Sequence, residues 1–579
     1  MSEGKKYNQR YRTIWEKDNR FKGWLQPVEG DKTQARCRVC GTTLKAHLRS
    51  IIGHNDGKKH KKNMTSSRYP PVMASGLSCR VFCRGITLTV TGPWNYVAGK
   101  RCDPIDSLGF MKVTEPATGQ VMCEVPISGP TEVDRAVASA KNVFSTWSKL
   151  SGRERGQKLL EAGRIIRENL ENISSLEVRD TGKPIWEARV DIASCADALE
   201  YYGGLAPAIV GQYVPLNGGS FAMVQREPLG VIGGIGAWNF PMQTCVWKAA
   251  PALACGNTFV YKPSQFTPIT AVTLSEVLTQ AGVPPGVFNV IQGEGEAGAK
   301  LCEHPDVAKL SFTGSVSTGT KVMAAGAKGI KSVTLELGGK SPIIIFEDAD
   351  MKNAVKATLM ANFLSQGQVC SNGTRVFVHR SIASEFIKQL VGATEKLKIG
   401  DPFAEDTTVG ATIHEDHAKK VLSYIASARK EGATILCGGE RVMQQGKLAG
   451  GWYLSPSVIG NCQDHMKVVK EEVFGSVASV LEFDSEEEVV KRANDTDFGL
   501  AGAVFTKDIQ RGHRVANAIE AGMVWINTFN LYPTEIPFGG YKHSGIGREN
   551  GLTVVDYFTQ TRTVYVEMGD VDCGPLYQD

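Results

Sequence analysis

Lys309-Leu310-Ser311-Phe312-Thr313-Gly314-Ser315-Val316-Ser317-Thr318-Gly319 reads as a strand over 309–312 that turns through glycine and opens a helix over 316–326. A strand that passes directly into a helix leaves backbone N–H groups and a helix dipole at the carboxyl edge of a sheet. That arrangement suits a pyrophosphate. This stretch therefore sets both the fold class and the first candidate binding site.

The same alternation continues on both sides. Strands are expected at 259–261, 287–291 and 333–335, with helices over 268–281 and 295–303 between them. A second series follows at 342–346, 375–379, 477–483, 500–505 and 522–527. Strand–helix alternation at this rhythm predicts an α/β fold with two parallel-sheet domains in tandem. Upstream, Val133, Ala136, Val137, Ala140, Phe144 and Trp147 recur at helical spacing. Leu159, Leu160, Ile165 and Ile166 form a second helical face, with Ser151 as its expected N-cap. Gly230-Val231-Ile232-Gly233-Gly234-Ile235-Gly236 imitates a dinucleotide fingerprint. Trp238-Asn239-Phe240-Pro241 interrupts any helix after it, and no acid follows at the required distance, so it reads as a tight strand-end turn.

The chain has 579 residues, 42% hydrophobic and 22% charged, which excludes disordered, collagen-like and disulfide-scaffold classes. No apolar run reaches the roughly 18 residues of a membrane span. The start, MSEGKKYNQR, lacks secretory character, and fourteen Cys suggest a reducing compartment. Charge is uneven. Residues 1–68 hold 17 Lys/Arg and 6 Asp/Glu, a net of +11, whereas the remainder is mildly acidic. Within this head, Cys37, Cys40, His54 and His60 have the spacing of a tetrahedral zinc site, with His47 as a competing ligand. The head resembles BED-type zinc fingers, and its basic surface would suit nonspecific nucleic-acid binding. The alternative is a basic extension whose Cys and His are incidental. Residues 64–87 read as a linker, and from Met73 they look like the start of a mitochondrial transit peptide. A shorter product beginning there would be importable.

Three further residues carry chemistry. Cys370 follows the bend Gln366-Gly367-Gln368-Val369, either as an exposed nucleophile or as one more buried thiol. Glu336 lies between two leucines at a strand end, either as a general base of raised pKa or as a surface acid. Asn239 sits in the interrupting tetrapeptide. Taken with Lys262-Pro263-Ser264, the Phe312–Gly319 turn, Glu471-Glu472-Val473-Phe474-Gly475 and Pro537-Phe538-Gly539-Gly540, these segments occur in one order at one spacing. Seven such motifs resemble the aldehyde dehydrogenase superfamily, over about residues 88–579. The ending Tyr565-Val566-Glu567-Met568-Gly569-Asp570 is similar to its amino-aldehyde branch, whose substrates include 4-trimethylaminobutyraldehyde and betaine aldehyde.

The resemblance implies that Cys370 attacks an aldehyde as thiolate, with Asn239 holding the oxyanion. Hydride leaves to NAD and a thioester remains, which Glu336 hydrolyses through an activated water. It implies cofactor contacts at Trp238, Lys262, Gly314, Ser315, Val316, Ser317, Thr318, Glu472 and Phe474. It assigns the aromatic substrate wall to Phe240, Trp247, Tyr532 and Phe538, since a trimethylammonium head seeks ring faces. Gln265 stands where many relatives carry a Glu that favours NAD over NADP. Ser476 and Ala411 replace usual prolines, and Leu364 stands where some betaine-aldehyde relatives carry Trp. The expected organisation is a finger-like module (1–63), a linker (64–87), an NAD-binding domain (88–335), a catalytic domain (336–545) and a C-terminal segment (546–579). The NAD-binding domain includes an oligomerisation arm near 213–230. The resemblance further implies a homotetramer, a small-molecule aldehyde partner and a cytoplasmic location.

Overall fold

The computed structural model describes residues 90–576, and before them five short backbone strands, in two units divided near residue 79. The first unit holds an antiparallel sheet of Leu25–Val28, Asp31–Cys37 and Thr43–Lys45, with Leu25 opposite Cys37 and Gln34 opposite Lys45. Cys37 ends the second of these strands. Cys40, His54 and His60 lie outside the described residues, and so does the zinc reading built on them. Among the described residues no group of three or more His, Cys, Asp or Glu could hold a metal ion. No described helix is long and apolar enough to cross a membrane.

The second unit is built on two large sheets. In the first, Ser332–Glu336, Val307–Thr313, Val231–Ile235, Thr258–Lys262 and Phe288–Val290 run parallel in that order. Short antiparallel strands, Gly545–Ile546 at one end and Asn95–Val97 with Lys100–Cys102 at the other, extend it to eight. In the second, Ser457–Gly460, Val477–Phe483, Arg375–His379, Pro342–Ile345, Ala501–Phe505 and Met523–Ile526 are parallel, with Thr434–Cys437 antiparallel at the edge. Strands such as Pro342–Ile345 and Ala501–Phe505 are buried along their whole length, as expected for a parallel sheet covered on both faces.

The expected helices form at Ile269–Gln280, Gly295–Glu303 and Val316–Lys328. Ser151 caps Gly152–Glu168 in a reciprocal box with Glu154. The stretch 230–236 departs from its reading. Val231–Ile235 is a central strand, not merely the approach to a turn, and a helix, Pro241–Ala254, does follow it. Proline occupies the first helical turn, where its missing N–H is no loss, so the tetrapeptide starts a helix instead of breaking one. The glycines serve close packing. A Cβ on Gly234 would lie 2.5 Å from the Phe259 ring, and one on Gly236 only 1.7 Å from the Tyr261 hydroxyl oxygen.

A third sheet, Gln212–Pro215, Phe221–Pro228 and Thr559–Val566, is an antiparallel ribbon that exposes Tyr213, Met223, Val564 and Tyr565. Asn257, fully buried, ties it to the first sheet. Its Oδ1 accepts the N–H groups of Leu229 (2.7 Å) and Gly230 (3.1 Å), and its Nδ2 donates to Phe558 O at 2.8 Å. Asn257→Ala strands one buried and two partly buried backbone groups, each worth up to about 1–3 kcal/mol. The expected outcome is a lowered urea midpoint, by about 2–5 kcal/mol in total, together with faster proteolysis near residue 559.

Candidate active site

A cavity of about 870 Å³ opens at the carboxyl ends of the first sheet's parallel strands. Strand ends are where open α/β sheets place ligands, because the helix N-termini converge there. Glu336 is the last residue of Ser332–Glu336, and Pro342 begins the first strand of the second sheet. The five residues between cross from one sheet to the other. The cavity therefore lies at the junction of the two sheets, lined by Cys370, Glu336, Asn239, Lys262, Gly314, Ser315, Thr318, Glu472, Phe474 and Trp238.

Cys370 is presented by a strained turn. Ser365, Gln366 and Gly367 are all left-handed, with φ of 51°, 57° and 71°. For the two residues with side chains such a conformation costs about 1–3 kcal/mol each. Gly367 has no alternative, since a Cβ there would lie 2.2 Å from the Gly475 carbonyl carbon. The Asn239 Nδ2 donates to Gln368 O at 2.9 Å, which fixes this amide beside the turn and leaves its second N–H to point elsewhere. The Cys370 thiol is pushed up to about 12, first by burial and then by Glu472 and Glu336.

The Glu336 main chain is held firmly while its carboxyl group is not. Its carbonyl accepts the Gly314 N–H at 3.0 Å, and neither carboxylate oxygen has a hydrogen-bond partner. Burial holds this carboxyl well above the usual carboxylate range. Glu549 adds to the rise, and Lys248 and Arg548 oppose it. A buried carboxyl with free lone pairs, sharing a cavity with a thiol, is a general base waiting for a proton donor.

The other lobe is shaped for a nucleotide. The Ser315 hydroxyl caps Val316–Lys328 by accepting the Thr318 N–H at 3.3 Å, and Gly314, Ser315 and Thr318 line the wall. Val316 packs toward the core, and Ser317 is exposed with its hydroxyl 3.2 Å from that of Ser315. Lys262 is buried, its Nζ donating to Pro263 O at 2.8 Å, and burial lowers it to about 8 against the pull of Glu294. Glu472 accepts the Gly339 N–H at 3.2 Å, and burial pushes it up to about 7. Phe474 is left-handed at φ 61°. Its carbonyl lies 2.7 Å from His417 Nε2, and Trp238 meets both rings edge-on at 5.1 and 5.2 Å. His417 escaped the sequence reading, since a lone histidine in the first turn of a helix carries no periodic signal. Ser476 is buried, and its carbonyl accepts the Ser457 N–H at 2.8 Å, a bond that a proline would also make.

Three of the four expected substrate aromatics come together. Trp247, Tyr532 and Phe538 lie with ring centroids 5.2–6.3 Å apart. The Tyr532 hydroxyl bonds the Asn530 side chain at 2.5 Å and meets the hydroxyl of Ser371, the residue after the thiol. Phe240 makes no ring contact with this group, and the Lys183 ammonium lies 4.0 Å from its ring centroid.

Comparison with known proteins agrees with this site. Residues 105–564 match the model of the aldehyde dehydrogenase family. The chain is 55% identical over 487 residues to 4-trimethylaminobutyraldehyde dehydrogenase of Mus musculus and to that of Homo sapiens, covering 84% of this chain and 99% of each relative. Among solved structures, betaine aldehyde dehydrogenase from Staphylococcus aureus in complex with NAD+ superposes with a TM-score of 0.81 at 36% identity, over 84% of this chain and 97% of that one. A variant of aldehyde dehydrogenase from Bacillus cereus gives 0.80 at 39% identity, over 82% and 96%. A half-buried thiol, an unpartnered carboxyl and a fixed amide meet around one cavity, and the matching family model spans most of the chain: this protein belongs to the aldehyde dehydrogenase family.

Proposed function

We propose that the protein oxidises 4-trimethylaminobutyraldehyde and related amino-aldehydes to their acids with NAD+, a reaction of the carnitine-biosynthesis type. The observation that carries the reading is Glu336, whose buried carboxylate has no partner and lines the same cavity as Cys370 and Asn239. NAD+ fits the other lobe. A helix N-terminus capped by Ser315 suits its pyrophosphate, Lys262 and Glu472 offer charge for the riboses, and Trp238 and Phe474 offer ring faces. Bound there, it supplies the hydride acceptor. Gln265, which carries no charge to repel a 2′-phosphate, leaves the preference for NAD over NADP to the rest of the lobe.

The chain's own residues do the remainder. The Cys370 sulfur attacks the aldehyde carbon. Its thiol is neutral at rest, so its proton leaves to solvent in the open cavity as the sulfur attacks. The free N–H of Asn239 and the Cys370 backbone N–H stabilise the oxyanion, each donor worth about 10²–10³ in rate. Glu336 then takes a proton from the water that releases the acid from the Cys370 thioester. Trp247, Tyr532 and Phe538 offer ring faces to a cationic head, and relatives named for 4-trimethylaminobutyraldehyde and betaine aldehyde support that class.

A homotetramer joined through the exposed ribbon and a cytoplasmic location complete the proposal. Tyr213 and Tyr565 on that ribbon support the first. The ten cysteines whose side chains are described, all free, support the second. A zinc-binding, nucleic-acid-binding head rests on Cys37, Cys40, His54 and His60 and on the charge of residues 1–68.

Glu336→Gln is expected to release one equivalent of NADH per active site in a rapid burst and then stall, while Cys370→Ala shows no burst. Stopped-flow absorbance at 340 nm checks both, and a lost burst in Glu336→Gln would move the base to an earlier step. The working form of Glu336 is ionised, and burial raises its pKa. Activity should therefore be present above that pKa and fall as the pH drops through it, far above the ordinary carboxylate range near 4. An acid limb of kcat below pH 5 would contradict this. Recognition of the cation predicts a kcat/KM about tenfold higher for 4-trimethylaminobutyraldehyde than for its neutral isostere 5,5-dimethylhexanal. That preference should vanish in Trp247→Leu.

A further inference from the structure

Behind the nucleophile turn runs the helix Ile185–Leu205, and it brings buried charges that no step above uses. Lys183 is completely buried, donates to Asp191 at 2.5 Å, and lies over Phe240, the neighbour of Asn239. Glu187 is 4% exposed. One of its carboxylate oxygens accepts the Ser365 N–H at 2.9 Å, and the other has no partner.

Ser365 is the first of the three consecutive left-handed residues that lead to Cys370. Two of these three carry side chains, so the backbone does not choose this turn by itself and the surroundings must hold it. Among the described residues, Glu187 is the side-chain acceptor on the first N–H of that turn. At the turn's other end, Asn239 holds Gln368 O at 2.9 Å. The turn is thus clamped at both ends, by an acid from one helix and an amide from the start of another. The Lys183–Asp191 pair stands behind both clamps.

We propose that Glu187 is a positioning residue for Cys370: by holding the Ser365 N–H it keeps the left-handed turn that aims the thiol into the cavity beside Asn239 and Glu336. The proposal rests on Cys370 being the nucleophile of the reaction proposed above. Glu187 touches neither substrate nor cofactor. Its effect should therefore fall on the reactivity of the thiol and on kcat, and should leave the KM for NAD+ unchanged.

The test compares three variants of the full chain. Glu187→Met keeps the volume and removes both acceptors. Glu187→Gln keeps an acceptor oxygen for the Ser365 N–H. Ser365→Gly, added to Glu187→Met, lets the backbone adopt the left-handed conformation unaided. The primary readout is the rate of iodoacetamide alkylation of Cys370, resolved by peptide mass spectrometry, which needs no substrate. The second is kcat beside the KM for NAD+. Glu187→Met is expected to lose tenfold or more in alkylation rate and kcat with an unchanged KM. Glu187→Gln should stay within threefold of the parent, and the added Ser365→Gly should recover most of the loss. Wild-type alkylation in Glu187→Met would overturn the proposal. So would equal losses in Glu187→Gln and Glu187→Met, or a loss that Ser365→Gly leaves untouched. If Glu187→Met alone does not fold, the double variant decides. Parent-like alkylation supports the proposal, and a folded protein with an unreactive Cys370 overturns it. Absence of turnover with every amino-aldehyde would sink the functional reading while leaving the alkylation comparison intact.

Discussion

An ionisable group removed from water and given no partner is the arrangement on which the rest of this site depends. Glu336 is buried, and neither carboxylate oxygen is bonded. A structure tolerates such a group only when rigid surroundings leave it no escape. Here the rigidity comes from position. Glu336 closes a strand inside an eight-stranded sheet, with Thr313 in register on one side and Gly545 on the other. Its main chain is fully engaged, so its side chain must project into the cavity. Of the charges that act on it, Glu549 and Lys248 lie in contact with one another, and the Glu336 oxygens stay free.

The glycines around the cavity follow from the same crowding. Gly338 lies so close to the Glu472 carboxylate that a Cβ would come within 2.2 Å of it, and Gly367 meets the Gly475 carbonyl in the same way. The segment that crosses between the sheets and the turn before Arg375–His379 both approach the 472–475 loop this closely. Small residues at these crossings let a thiol, a carboxyl and an amide share one cavity while each stays anchored to a different element.

Much of this was legible in the sequence, and the reasons are local. The change of period at residues 309–319 marked a strand and a helix that both form, and Ser151 marked a cap that is made. The collinear motifs brought together Cys370, Glu336 and Asn239 across more than a hundred residues, which no single spacing could have done. What escaped is non-local. Pro241 looked like an interruption because its cost depends on which turn of the helix it occupies. Phe240 looked free because the Lys183 that lies over it is 57 positions earlier. Glu187 carries no signal in the sequence, and only its 178-residue reach to Ser365 distinguishes it.

The raised pKa of Cys370 also bears on durability. Peroxides and alkylating electrophiles attack the thiolate and largely spare the thiol. Held near 12 by burial and by two neighbouring carboxyl groups, Cys370 idles in its inert form. A catalyst that handles reactive carbonyl compounds meets such electrophiles continually. A thiol kept protonated in this way is spared such attack until it loses its proton.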